Sequence, residues 1–245
     1  MADADVQADP PPPWGYLATL GWALLAVALC AATIVAVFLT WTAWQVGSPS
    51  LELLNEFLDE PFWVGLAVAI ASAVLVAVVA LAAWLRGWSA RDYLGLRWPA
   101  WRDLGIALVL LAALSVASHI ILDVLDARNP VSLSDEYQSA REAGALSLFW
   151  INAVIIAPLA EEILTRGFLQ RGWVRSQDSA QLGIAVIAAI WAALHFPYGW
   201  ILCADIFIMG LLLGWARWRS GSTITTIMMH ALYNLWGMVQ LMARA

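Results

Sequence analysis

The chain has 245 residues, 62% of them hydrophobic and only 12% charged, with a net charge of −6. A soluble domain averages about a quarter charged residues and about half apolar ones, so this composition excludes a soluble enzyme, a disordered chain and a nucleic-acid binder. All 12 basic residues are Arg, and nowhere do they form the basic run that grips phosphates or anionic lipid. Cys30 and Cys203 sit in apolar runs without CxxC spacing and read as packing residues.

Residues 1–16 open the chain with an acidic, Pro-rich stretch that lacks the basic start of a secretory signal; they read as a disordered tail. Charge-free intervals then locate the spans, since a crossing needs ~20 apolar residues. They predict helices at 17–41, 61–85, 104–122, 145–170, 179–197, 199–216 and 222–243. The fold class expected is therefore all-α, a polytopic transmembrane bundle of seven to eight helices. Residues 17–144 hold the N-terminal helices and loops, and 145–243 the core helices. Strict alternation is absent, which argues against a β-barrel. The two longest acidic connections are 42–60 and 123–144. The second carries Asp123, Asp126, Asp135, Glu136 and Glu142 against Arg128 and Arg141, and has room for an amphipathic or re-entrant helix.

Arg placement sets an expected orientation. Arg86, Arg91, Arg97, Arg102, Arg171, Arg175, Arg217 and Arg219 fall on one side, against Arg128, Arg141 and Arg244 on the other. The first side should be cytoplasmic, with the N-terminus inside and the C-terminus outside.

Ionisable groups within apolar spans are functional candidates. The fourth span holds Glu161, Glu162 and Arg166, the fifth Trp191 and His195, the sixth Asp205, the seventh His230 and Asn234, and the third His119. Glu162 and Arg166 are i,i+4 and can pair, while Glu161 points about 100° away. His230 and Asn234 share one helix face. Pro158, three residues before Glu161, should kink the helix. Counting 1.5 Å per residue puts Glu161 ~15 Å from Arg171 and His230 ~12 Å from Ser222, near one level. His195 joins them only if its helix starts late. Bland readings stand beside these: a structural Glu162–Arg166 pair, a packing His119, an Asp205 that faces water, and a Gly210–Gly214 packing face.

A carboxylate facing a His can hold and deprotonate a water. A second His with an Asn one turn on can stabilise an oxyanion. Together they make an amide hydrolase without a Ser or Cys nucleophile. The alternative is zinc at Glu161, His195 and His230 with one open position, although no HExxH is present.

The segment Ala157–Gly167, with Glu161, Glu162 and Arg166, resembles the EExxxR motif of the CPBP family, the CAAX-protease and bacteriocin-processing (Abi) intramembrane proteases. Trp191-xxx-His195, Phe207 with Gly214, and His230-xxx-Asn234 follow in order, over about residues 145–240. LGLRWP at 94–99 is a weaker echo. The resemblance implies a glutamate-type intramembrane endopeptidase: Glu161 as general base, His195 helping to hold the water, His230 and Asn234 on the oxyanion, and Glu162 and Arg166 supporting Glu161. Trp191 and Phe207 would lie near the site as substrate or packing residues. Trp191 stands where the family usually has Phe, and Thr165 where an aromatic is common. The substrate implied is a membrane-associated peptide, prenylated at a CAAX-type end or not, in a prokaryotic inner membrane. No cofactor is expected, with zinc the exception already named. A non-catalytic scaffold, an immunity or signalling protein, and a proton-coupled carrier are the competing functions.

Overall fold

The computed structural model describes residues 12–45, 48–125, 127 and 131–243. Their order is α1 (Tyr16–Trp44), α2 (Leu51–Leu58), α3 (Pro61–Leu85), α4 (Ala90–Tyr93), α5 (Trp101–Val124), α6 (Val131–Glu142), α7 (Leu146–Trp173), α8 (Gln177–Ala193), α9 (Trp200–Ser220) and α10 (Thr223–Met242). No strand occurs among the described residues. Polar caps start several helices: Ser50, Ser89, Ser176 and Ser222 each accept a backbone N–H of the first turn, which satisfies an otherwise orphaned donor. Gly221, at φ 64°, ends α9 in the left-handed conformation that glycine adopts without strain.

Five of these helices, α1, α3, α5, α7 and α9, are long and apolar enough to cross a membrane, so the chain is an integral membrane protein. By that criterion α8 and α10 are not counted among the expected seven to eight spans. α8 stops at 17 residues because the residue before Pro197 is disfavoured in α conformation; Phe196–Tyr198 turns instead as a 3-10 segment. α10 has 20 residues, but Thr223, Thr225, Thr226, His230, Asn234 and Gln240 dilute its apolarity. The two acidic connections are also partly helical, forming α2 and α6. Of the expected tail, residues 1–11 lie outside the described residues, as do Asp126, Arg128 and Arg244. Residues 12–15 are not loose: the Trp14 indole N–H donates to Ala82 O at 2.8 Å, and Arg86 Nε to Pro12 O at 2.9 Å.

α1, α3 and α7 share one core, with Ala23, Ala26, Val79 and Ala82 against Ile163 and Phe168. α5, α8, α9 and α10 share another through Ala107, Leu111, Trp191, Leu213 and Met229. Small residues permit the close α8–α9 approach, since a Cβ on Gly214 would overlap Ile184 and one on Gly210 would crowd Ala188. The apolar side chains left exposed on α1, such as Leu17, Leu24 and Val35, form a face for lipid.

α7 is not a uniform α-helix. π turns at Asn152–Ile156 and Ile163–Leu169 flank Ala157–Glu162. Pro158 lacks an N–H, so the ladder is irregular there, and π turns recur at functional sites. The expected kink therefore takes the form of altered helical winding on both sides of the paired glutamates.

Candidate active site

A cavity of about 330 Å³ opens between α5, α7, α9, α10 and the end of α8. Glu161, Trp191, His195, His230 and Asn234 all line it, although they come from three helices and the turn after α8. His195 reaches the cavity because α8 ends at Ala193 and leaves it just beyond the last turn.

The two adjacent glutamates have different surroundings. Glu162 is completely buried; its Oε1 accepts from Arg166 Nη1 at 2.8 Å and faces His230 Nδ1 at 3.0 Å. Arg166, equally buried, also donates to Thr165 Oγ1 at 3.0 Å and to Gly210 O at 3.2 Å. Glu161 turns to the cavity, and its Oε2 accepts from the Trp191 indole N–H at 2.7 Å. Its other oxygen has no hydrogen bond from the described residues. Neither Glu162 nor Arg166 hydrogen-bonds the Glu161 side chain, whose partner among the described residues is Trp191. Glu162 holds His230, and Arg166 acts on Glu161 by its nearby charge and through Trp191, lying 4.6 Å from that ring's centroid. The cause is rotation about the helix: successive side chains diverge by about 100°.

Trp191 is the hub of the arrangement. Its ring also meets His195 and His230 edge-on, with centroids 5.3 and 5.2 Å away. Reading it as a packing or substrate residue in place of Phe misses the indole donor, which Phe lacks.

His195 Nδ1 is 2.9 Å from Trp191 O. A carbonyl only accepts, so Nδ1 carries the proton and Nε2 is left as an acceptor in the neutral ring. His230 Nδ1 likewise donates to the Glu162 carboxylate. Asn234 Nδ2 donates to Ala153 O at 2.8 Å, which fixes the amide and leaves its second N–H. Tyr198 lines the same cavity; burial, and then the Glu136 and Glu161 carboxylates, push its phenol up from the ordinary value, keeping it a neutral donor.

The remaining candidates separate. Phe207 does not line the cavity; its neighbours Ile206 and Met209 do, because one residue along α9 rotates the side chain away. Asp205 is not simply solvated: the Ser118 and Tyr233 hydroxyls both donate to it. His119 Nδ1 lies 2.6 Å from Gln240 Oε1. Cys30 and Cys203 are free and half-buried. Gly210 and Gly214 do more than pack, since their carbonyls receive Arg166 and Gln170. Among the described residues no three His, Cys, Asp or Glu stand together as a metal-binding set, and the Nδ1 atoms of His195 and His230 are already engaged. Both Nε2 atoms remain, and a His bonded through its other nitrogen is the usual form of a zinc ligand; what argues against zinc is the lack of a close third group among the described residues.

Residues 143–236 match the family model described as Rce1-like, type II CAAX prenyl endopeptidase Rce1-like. No curated protein and no solved structure matches the chain. The matched segment begins just before α7 and ends within α10, so it contains every residue of the Glu161–Glu162–Trp191–His195–His230–Asn234 arrangement. The match supports peptidase activity in general and a membrane setting for the substrate. Residues 143–236 of this membrane protein are thus similar to the Rce1-like proteins of the CPBP family.

Proposed function

We propose that the chain is a glutamate-type intramembrane endopeptidase acting on a membrane-associated peptide, with Glu161 as general base. The observation that carries this reading is the divergence of the paired glutamates: one is locked to Arg166 and His230, the other faces the cavity with a free oxygen.

Water sits between the free Glu161 oxygen and His195 Nε2. Glu161 takes a proton from it, and the hydroxide adds to the scissile carbonyl carbon. The resulting oxyanion accepts from His230 Nε2 and the spare N–H of Asn234. Because the Glu162 carboxylate can only accept, His230 donates there through Nδ1 and can donate again from Nε2 only as the imidazolium. Glu162 supports that charge as a triad carboxylate supports its His. Glu161 then delivers its proton to the leaving nitrogen as the C–N bond breaks, which closes the proton balance. The cavity and its apolar walls favour a peptide whose anchor stays in the bilayer; prenylated CAAX-type ends are one such class. Residues 17–144 act as the surrounding membrane scaffold and 145–243 as the catalytic core. The protein lies in a prokaryotic inner membrane with the Arg-rich end cytoplasmic.

The test is cleavage of a peptide panel, farnesylated and unmodified, by detergent-purified protein. Activity lost in Glu161→Gln and kept in chelator is the expected result. Full activity in Glu161→Gln overturns the mechanism.

A further inference from the structure

We propose that Arg97, Arg171 and Arg217 form a binding site for a phosphate-bearing anion, the headgroup of an anionic phospholipid, at the end of the bundle where α7 and α9 stop and α10 begins. These residues are 46 or more positions apart in pairs except through the fold, so no basic run announces them in the sequence.

Arg217, in the last turn of α9, is only 7% exposed, and its Nε has no hydrogen-bond partner. Arg171 Nε also lacks one, while its guanidinium lies 4.9 Å from the Trp88 ring centroid. Arg97 Nε donates to Gly221 O at 3.0 Å, and the rest of its fork is uncommitted. The three guanidiniums are near enough to repel one another. Among the described residues no carboxylate pairs with any of them; Asp92 attracts Arg171 only at longer range. Arg219, two residues beyond Arg217, shows the contrast: it has Asp103 at 3.2 Å. Arg does not shed its charge, so the buried, unpaired Arg217, with the half-buried Arg171 and the exposed Arg97 beside it, is costly unless an anion joins it.

The cluster sits on a built floor. A Cβ on Gly95 would overlap the Arg217 guanidinium, and one on Gly221 would overlap that of Arg97. Both glycines have positive φ, 65° and 64°. The two loops are tied together by Thr223 N–H to Gly95 O at 2.9 Å and Ser222 Oγ to Arg97 O at 2.5 Å. This gives the LGLRWP segment a role: its Gly makes room for one guanidinium and its Arg supplies another. Guanidinium forks match phosphate oxygens in pairs. The exposed Trp98 and Trp101 beside Arg97 mark the level where indoles meet headgroups, which favours a lipid phosphate over a dissolved one.

The experiment uses the full-length protein in neutral detergent, read by native mass spectrometry and thermal unfolding. Phosphatidylglycerol, phosphatidylcholine and inorganic phosphate are added in separate arms, the last against chloride at equal ionic strength. Retention of phosphatidylglycerol with a raised Tm, and neither with phosphatidylcholine, is expected. Arg97→Gln and Arg171→Gln should each weaken phosphatidylglycerol retention about tenfold, the effect of one lost charge-assisted hydrogen bond. Arg91→Gln, outside the cluster, should not. Far-UV circular dichroism checks that each variant is folded. A response to phosphate alone upholds the anion site and overturns lipid as its source. Equal retention of both lipids, or unchanged phosphatidylglycerol binding in Arg97→Gln and Arg171→Gln, overturns the proposal.

Discussion

Replacing Arg166 by Met should destabilise the protein strongly while leaving the packing volume nearly intact. The guanidinium is fully buried and makes three hydrogen bonds, to Glu162, Thr165 and Gly210 O, besides its contact with the Trp191 face. Both side chains of the Arg166–Glu162 pair have 0% exposure, so solvent screening does not reduce the effect. Breaking a buried pair by removing one partner costs about 3–5 kcal/mol, chiefly because the other charge stays buried. For a chain of this size each kcal/mol moves Tm by about 2–4 °C, so the loss should be about 10 °C. The double variant Glu162→Leu/Arg166→Met removes the stranded carboxylate and should recover more than half of that loss. Thermal unfolding of the wild type, both single variants and the double in one detergent completes the cycle. A loss below about 1 kcal/mol in Arg166→Met, or a double variant no better than the single, would refute the reasoning.

Trp191→Phe keeps a ring but deletes the donor to Glu161; a hydrogen bond to a charged group is worth about 1.5–3 kcal/mol, so kcat should fall about 10–100-fold with KM and Tm little changed. An unchanged kcat would show that the indole N–H does not position the carboxylate. Asn234→Ala should lower kcat by about 100-fold, the typical effect of one oxyanion donor, as seen in single-turnover cleavage. Gly210→Val would push Ala188 and Trp191 away from α9 and should cost about 1–3 kcal/mol, measured as a lower Tm. Chelator should leave the cleavage rate unchanged, since among the described residues no three His, Cys, Asp or Glu are placed to hold a metal ion; loss of activity that zinc restores would contradict this.

Much of the site was legible because its signals are local. The i,i+4 spacings of Glu162 with Arg166 and His230 with Asn234 survive into the fold, as does the divergence of Glu161 from Glu162. What was not legible depends on meetings between helices. No periodicity announces that Glu162 meets His230 or that Trp191 aims its N–H at Glu161. Asp205 looked solvated because Ser118 and Tyr233 lie on other helices. The span count differs for another reason: charge-free length does not register the stop that Pro197 imposes on α8, or the Thr-rich first turns of α10. The Arg cluster is the clearest case, since two loops and two helix ends must converge before three isolated arginines become one positive site.

The central claim is a division of labour between adjacent glutamates, and it is tested most directly by measuring cleavage rate and Tm of Glu161→Gln and Glu162→Gln side by side. Glu161→Gln keeps an oxygen to accept from Trp191, so it should unfold like the wild type and cleave nothing. Glu162→Gln strands the Arg166 charge and should lose several degrees of Tm. A Glu161→Gln protein that cleaves at the wild-type rate would contradict the account.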